Sequence, residues 1–302
     1  MLVRFIPGNV VELMVAEMGG SGSAASGITA EEMAEVIRHQ LGLDVPLARQ
    51  YLIWLGKIVH GDLGTSLWTN HKISSEILAM IPVTLELGGF AVALALILGV
   101  PFGVISAVYQ DSLPDYLCRL TSIINVSIPR LWLGTMLLVY PSIWWNWMPP
   151  MTYSTFSQDP KANLAKVFPA AVILSLGMMG SIAKLVRSTM LDVLRQDYIR
   201  TAWAKGLSGK TVVLEHAFRN ACLPVLTMIG NQFPVIVGGS ALLEQVFTLP
   251  GMGRYLINAL YQRDYPVITA VTLLMAAVIL IVNLFVDILY FWLDPRIESR
   301  WS

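Results

Sequence analysis

Residues 198–224 read YIRTAWAKGLSGKTVVLEHAFRNACLP, a polar stretch between two strongly apolar regions. From Lys184 to Arg219 there are seven cations, Lys184, Arg187, Arg195, Arg200, Lys205, Lys210 and Arg219, against only Asp192, Asp197 and Glu215. An excess of Lys and Arg beside membrane-length apolar runs marks a loop held on the cytoplasmic side. The same stretch contains a decoy. Residues 204–211, AKGLSGKT, approximate a phosphate-binding loop with Ala in place of the first Gly. Such a loop works between a buried β-strand and a helix, with a carboxylate-ended strand elsewhere for Mg²⁺. Here the preceding residues 196–203 have a polar, helical pattern, and no parallel-strand pattern occurs in the chain. The match is an accident of a Gly/Lys/Ser-rich loop.

The regions on either side bear this out. The chain has 302 residues, of which 55% are hydrophobic and 13% charged, with a formal net charge of zero. Its mean hydropathy is +0.64. Soluble domains carry about 25% charged residues, so half the usual charge is missing. The deficit falls in blocks of about 20 residues, the length of helix that crosses a hydrocarbon core. This is a multi-span membrane protein of the all-α class. No basic or Cys/His cluster points to nucleic acid. Cys118 and Cys222 lie far apart near span ends and read as free thiols rather than a disulfide or metal pair. His39, His60, His71 and His216 are scattered without ligand spacing.

Five spans are predicted: 83–109, 115–140, 167–185, 223–243 and 267–293. The first has Glu86 as its only charge. The second carries Arg130 about two-thirds of the way along, beside Pro129, and ends in an interfacial aromatic cluster of Tyr140, Trp144, Trp145 and Trp147. The third contains Gly177, Gly180 and Ser181, small residues that let helices approach closely. The fourth holds Pro224, Gly230, Pro234, Gly238 and Gly239, the pattern of a broken helix. Before the first span, residues 1–15 are apolar but too short to cross. A capping box at Thr29 opens a short helix ending at Gly42, and a second helix runs from Pro46, with Leu47, Tyr51, Leu55 and Ile58 on one face, to Gly61. Residues 148–166 form a Pro-rich loop. The expected organisation is an N-terminal remnant and external helical segment, 1–82, followed by a transmembrane domain, 83–302, with a cytoplasmic loop at 186–222. Five spans with that loop inside put the C-terminus in the cytoplasm and the N-terminus outside. A preceding helix absent from this chain would repair that topology.

The opening stretch resembles a known family. TAWAKGLS at 201–208, EHAFRNA at 215–221 and Leu223-Pro224 are similar to the cytoplasmic signature loop of permeases of binding-protein-dependent ABC importers, in the dipeptide/oligopeptide/nickel branch. The general signature has Glu-Ala-Ala where this chain has Arg200-Thr201-Ala202, and its Leu-Pro lies closer. Both departures suit that branch. Gly61-Asp62-Leu63-Gly64, Leu85-Glu86-Leu87, Ser127-Ile128-Pro129, the run 244–253 (EQVFTLPGMG) and Leu293-Asp294-Pro295-Arg296 extend the likeness over essentially the whole chain, except for the family's first membrane helix.

The resemblance implies a type I ABC importer permease in the cell's inner membrane. It would form half of a pathway for di- or oligopeptides and would not itself be an enzyme. Its partners would be a second homologous permease, two ATP-binding subunits, an extracytoplasmic solute-binding protein and the bilayer. ATP and Mg would be used by the ATPases, with no cofactor bound by this chain. A short helix over 197–205, stopped by Gly206, would dock on an ATPase through Thr201, Ala202, Trp203, Ala204, Lys205, Gly206 and Leu207. Nickel import is the alternative within the family. An ion-gradient-driven secondary transporter is the alternative outside it, but that class calls for paired intramembrane carboxylates or matched broken helices, and only Arg130 and Asp287 are ionisable well inside spans.

Two residues are expected on the pathway. Arg130 departs from the family pattern, and a mid-span cation normally faces a cavity or a partner. It would meet a substrate carboxylate or, structurally, pair with Glu86 or a backbone carbonyl. Glu244 stands where the fourth span exits, beside a Pro-Gly turn, as part of an external gate or as a plain boundary carboxylate.

Overall fold

The computed structural model describes residues 45–293, apart from 223, 226, 227, 229 and 231, and residues 15 and 35 singly. The capping box at Thr29, the helix ending at Gly42, the start of the fourth expected span and the helix expected to precede the chain lie outside the described residues. Nine helices of eight or more residues carry the described part. They are α1 (Leu47–Val59), α2 (Ile73–Val108), α3 (Leu113–Ser127), α4 (Arg130–Trp145), α5 (Pro160–Leu194), α6 (Asp197–Ala204), α7 (Phe233–Val246), α8 (Met252–Gln262) and α9 (Tyr265–Leu293). Among the described residues there is no strand, only the isolated Thr65–Lys72 bridge.

Among the described residues three helices, α2, α5 and residues 265–286 of α9, are long and apolar enough to cross a membrane, and a fourth span results if α3 and α4 are taken together, so the expected count of five is not confirmed there. Those two helices are bent by 93°, so the second span expected at 115–140 is broken into two helices. The cause is local. Pro129 brings no N–H to a helix and disfavours helical backbone in the residue before it, and Ile128 sits at φ −78°, ψ 129°. Arg130 is consequently the first residue of α4 rather than a mid-helix cation.

Helix α5 begins earlier than expected. Asp159 accepts from the N–H groups of Lys161 and Ala162, both at 3.0 Å, and Pro160 follows at the first helical position, an N-terminus satisfied as the chemistry of these residues favours. The expected 148–166 loop therefore stops at Asp159.

The chain divides into two compact units, Met80–Arg254 with Met275–Ser302, and Met1–Ala79 with Tyr255–Leu274. In the larger one, α5 is the central post. Ala170, Leu174, Met178, Ile182, Val186 and Met190, one every four residues, are all buried. Val83, Leu87, Ala91 and Ala95 form the matching stripe on α2. In lipid, apolar surface alone does not drive helices together, and close backbone approach through small residues does much of it. A Cβ on Gly103 would lie 2.5 Å from Val186 Cβ, and one on Gly180 would lie 2.5 Å from the Ser122 carbonyl oxygen. Gly180 thus plays the part its position in the sequence suggested. Lys166, also buried, donates to the carbonyls of Pro150 and Met151 at 2.7 and 2.8 Å and to Thr248 Oγ1 at 3.1 Å.

In the smaller unit, Asp264 accepts from Ser66 Oγ at 2.6 Å and the Leu67 N–H at 3.1 Å, while its other oxygen caps α9 at the Val267 N–H, 3.4 Å. Trp68 Nε1 donates to the Gln262 carbonyl at 2.9 Å, and Tyr255 donates to Glu76. Helix α1 ends at His60, with Gly61 at φ +76°, as the sequence predicts.

Candidate functional site

The signature stretch folds into a short helix and a stop. Gly206 has φ +76°, its N–H donates to the Trp203 carbonyl at 3.0 Å, and the Leu207 N–H reaches back to the Ala202 carbonyl at 3.4 Å. These two bonds make the left-handed helix ending for which glycine is favoured. Ile199 and Ala202 face the core and are buried. Thr201, Ala204 and Lys205 are exposed, and Tyr198, Trp203 and Leu207 present large apolar surface outward, Trp203 at 49%. Apolar groups thus stand exposed on a slim helix within a stretch rich in cations.

The residues from Ser208 to Ala221 give that helix its seat. Ser208 Oγ caps the Thr211 N–H, a π-helical turn runs over Val212–Phe218, and Arg219–Ala221 closes it. Asn220 Nδ2 donates to Tyr198 Oη at 2.9 Å, and the Thr189 hydroxyl on α5 lies 3.2 Å from the Ala221 carbonyl, which shares it with the Leu185 and Val186 carbonyls of its own helix, each at 3.1 Å. The surface helix is therefore joined to the central post by side-chain bonds. The phosphate-loop letters lie across a helix end and a helix start, with no strand before them. That geometry is not a nucleotide cradle.

Arg130 opens α4 at the wall of a cavity of about 410 Å³, which Asn125, Gly177, Ser181 and Gln232 also line. Its guanidinium lies against α5, where a Cβ on Gly177 would be 3.0 Å from one terminal nitrogen. The pairing with Glu86 considered from sequence does not form. Glu86 instead accepts from Tyr153 Oη at 2.9 Å and Asn163 Nδ2 at 3.2 Å. Tyr153, in the loop before α5, is pushed up to about 12 by burial and by that carboxylate. Among the described residues, the Arg130 guanidinium has no ion-pair or hydrogen-bond partner, a backbone carbonyl included. Asn125 and Gln232 were not singled out in the sequence, although an amide in an apolar run was the available signal.

Glu244 is fully buried. It accepts from Thr84 Oγ1 and the Arg254 N–H, each at 2.9 Å, with the Ser240 hydroxyl and the Gly253 N–H completing the set. Thr84 Oγ1 in turn accepts from the Met252 N–H at 2.9 Å. A carboxylate and a hydroxyl thus satisfy the unpaired N–H groups at the start of α8, where negative charge is favoured. Gly251 passes so close that a Cβ would sit 2.4 Å from the carboxyl carbon. Glu244 fastens the Pro-Gly turn.

A helical membrane protein with a bent central pair, a polar cavity beside it and an outward-facing helix in its basic loop has the outline of a transport subunit. The chain belongs to the family of inner membrane components of binding-protein-dependent transport systems, whose pattern matches residues 99–299. It is 42% identical over 260 residues to the oligopeptide transport system permease protein AppB of Bacillus subtilis (strain 168), covering 85% of this chain and 82% of that one. It is 37% identical over 321 residues to the dipeptide transport system permease protein DppB of Escherichia coli (strain K12), covering 99% and 92%. A structure of the MetNI methionine ABC transporter in an inward-facing conformation matches with a TM-score of 0.59 at 17% identity, over 72% of this chain and 96% of that one, a likeness of fold. The chain is a multi-pass membrane protein and a permease subunit.

Proposed function

We propose that this chain is one of two homologous permease subunits of an ATP-driven importer of di- or oligopeptides. Two ATP-binding subunits dock on its basic loop and on that of its partner, and a solute-binding protein delivers peptide from the other face. The relatives' peptide names support this cargo over nickel. The loop around α6 and the C-terminus lie in the cytoplasm, which the cation excess between Lys184 and Arg219 supports. The chain performs no chemistry of its own and binds no cofactor, and ATP and Mg belong to the ATPases.

One observation carries the coupling role: α6 ends in a glycine-stopped turn that leaves Trp203 and Leu207 exposed while Ala202 packs inward. Closure of the ATPases moves α6, and the contacts through Asn220, the π-turn and Thr189 pass that movement to α5. Residues Thr201 to Leu207 make the joint, Arg130 lines the pathway, and Glu244 serves it by holding the turn at the start of α8. The test is to isolate the protein from its native membrane under mild conditions. ATP-binding subunits and a second permease should accompany it. Purification as a lone chain that still transports down an ion gradient would overturn the proposal.

A further inference from the structure

We infer that the cavity at the α3–α4 bend is a carboxylate site, in which Arg130 receives the C-terminal carboxylate of the peptide as it crosses; this rests on the peptide-import reading. A guanidinium taken from water into a membrane protein needs a counter-charge or a full set of acceptors. Arg130 has neither among the described residues, and it faces a volume of about 410 Å³. Glu86 accepts through Oε2 from Tyr153 and Asn163, its buried Oε1 having no partner, and Asp115 is held by Arg187 with Ser106, so neither is bonded to Arg130. Among the described residues no acid of the chain meets the Arg130 guanidinium, and an anion entering the cavity would supply that partner.

The shape of the group selects the kind of anion. Guanidinium presents parallel donors that match the two oxygens of a carboxylate. The absence of a side chain at Gly177 leaves room for the guanidinium beside α5, its terminal and ε nitrogens 3.0 and 3.2 Å from where a Cβ would stand. Around it, the Asn125 amide donates to the Met179 sulfur at 3.7 Å, and Ser181 and Gln232 add neutral polar groups suited to peptide N–H and C=O. One cation among neutral amides and a hydroxyl recognises a terminal carboxylate and then releases it, as a pathway residue must.

The experiment uses the intact complex in proteoliposomes with its binding protein. It reads the uptake ratio of a dipeptide with a free carboxylate to the same dipeptide as its C-terminal amide. The binding protein is common to every sample, so a change in the ratio belongs to the permease. Arg130→Gln should lower the ratio about tenfold, the scale of losing a charged hydrogen-bond donor, and Arg130→Lys should restore part of it. Gly177→Val keeps the charge but displaces the guanidinium, so it should lower the ratio as Arg130→Gln does, and it serves as the test should Arg130→Gln not assemble. A ratio unchanged in Arg130→Gln or in Gly177→Val, with both dipeptides still taken up, overturns the carboxylate site and leaves peptide import standing. A wild-type complex that takes up neither dipeptide overturns the peptide reading, and the carboxylate site with it.

Discussion

Arg187 on α5 donates through Nε and Nη2 to the two carboxylate oxygens of Asp115 on α3, at 2.9 and 2.8 Å. Asp115 is completely buried and also takes the Ser106 hydroxyl, so α2, α3 and α5 meet at one carboxylate. Removing one partner of a buried pair leaves an uncompensated charge, at a cost of about 3–5 kcal/mol. Arg187→Ala should therefore sharply lower the thermal stability of the solubilised protein. Arg187→Lys should recover only part of it, because a single ammonium cannot form the paired bonds. The double replacement Asp115→Asn with Arg187→Gln should be milder than Arg187→Ala alone, and thermal unfolding of the three variants checks the order.

The Glu244 clamp makes a second prediction. All four of its bonds come from donors, so Glu244→Gln turns an amide N–H₂ toward groups that need an acceptor. An unsatisfied buried group costs about 1–3 kcal/mol, and the variant should assemble but lose stability and transport together. Gly251→Ala should be worse, because its Cβ has no room beside the carboxylate. Comparing the yield of assembled complex for the two variants tests this. A Gly251→Ala protein with wild-type yield and uptake contradicts the clamp.

A third concerns pH. Burial pushes the Asp264 carboxyl above its usual range, outweighing the Ser66 hydroxyl and the Val267 and Leu67 N–H groups, which favour the charged form. A folded-state value raised above the unfolded one means that the folded state binds the proton more tightly. The contribution is then complete below the unfolded value, about 3.9 for Asp, and is lost as pH rises through the folded one. Thermal unfolding over that window should show wild type losing stability relative to Asp264→Asn, which keeps an acceptor for the cap and has no charge to bury. A difference that grows in the opposite direction would mean that the donors hold Asp264 ionised.

Much of this was legible in the sequence for physical reasons. The long spans announce themselves through apolar runs, and Gly206 through the need for a left-handed residue after an eight-residue helix. The break at Pro129 was visible in the sequence but its 93° angle was not, because a proline marks where a helix stops and not the direction in which the next one leaves. The early start of α5 had a local signal, Asp159 before Pro160, which the loop-like composition around it obscured. The Asp115–Arg187 pair and the enclosure of Glu244 by Thr84 and Gly251 join residues distant in the chain, and no local pattern encodes them. Arg130 was conspicuous as a charge in an apolar run, yet only the cavity and the engagement of Glu86 elsewhere define its surroundings.

The central claim is that peptide import is driven by ATPases acting through α6. A Cβ at Gly206 would meet nothing within 4 Å, so a substitution there strains only the left-handed backbone. The measurement is ATP-dependent dipeptide uptake, with peptide-stimulated ATP hydrolysis, by the reconstituted complex carrying wild-type permease or Gly206→Val. The wild type should take up dipeptide only with ATP and binding protein present, and Gly206→Val should assemble yet lose both uptake and stimulation. Normal uptake and normal stimulation in Gly206→Val would contradict the account.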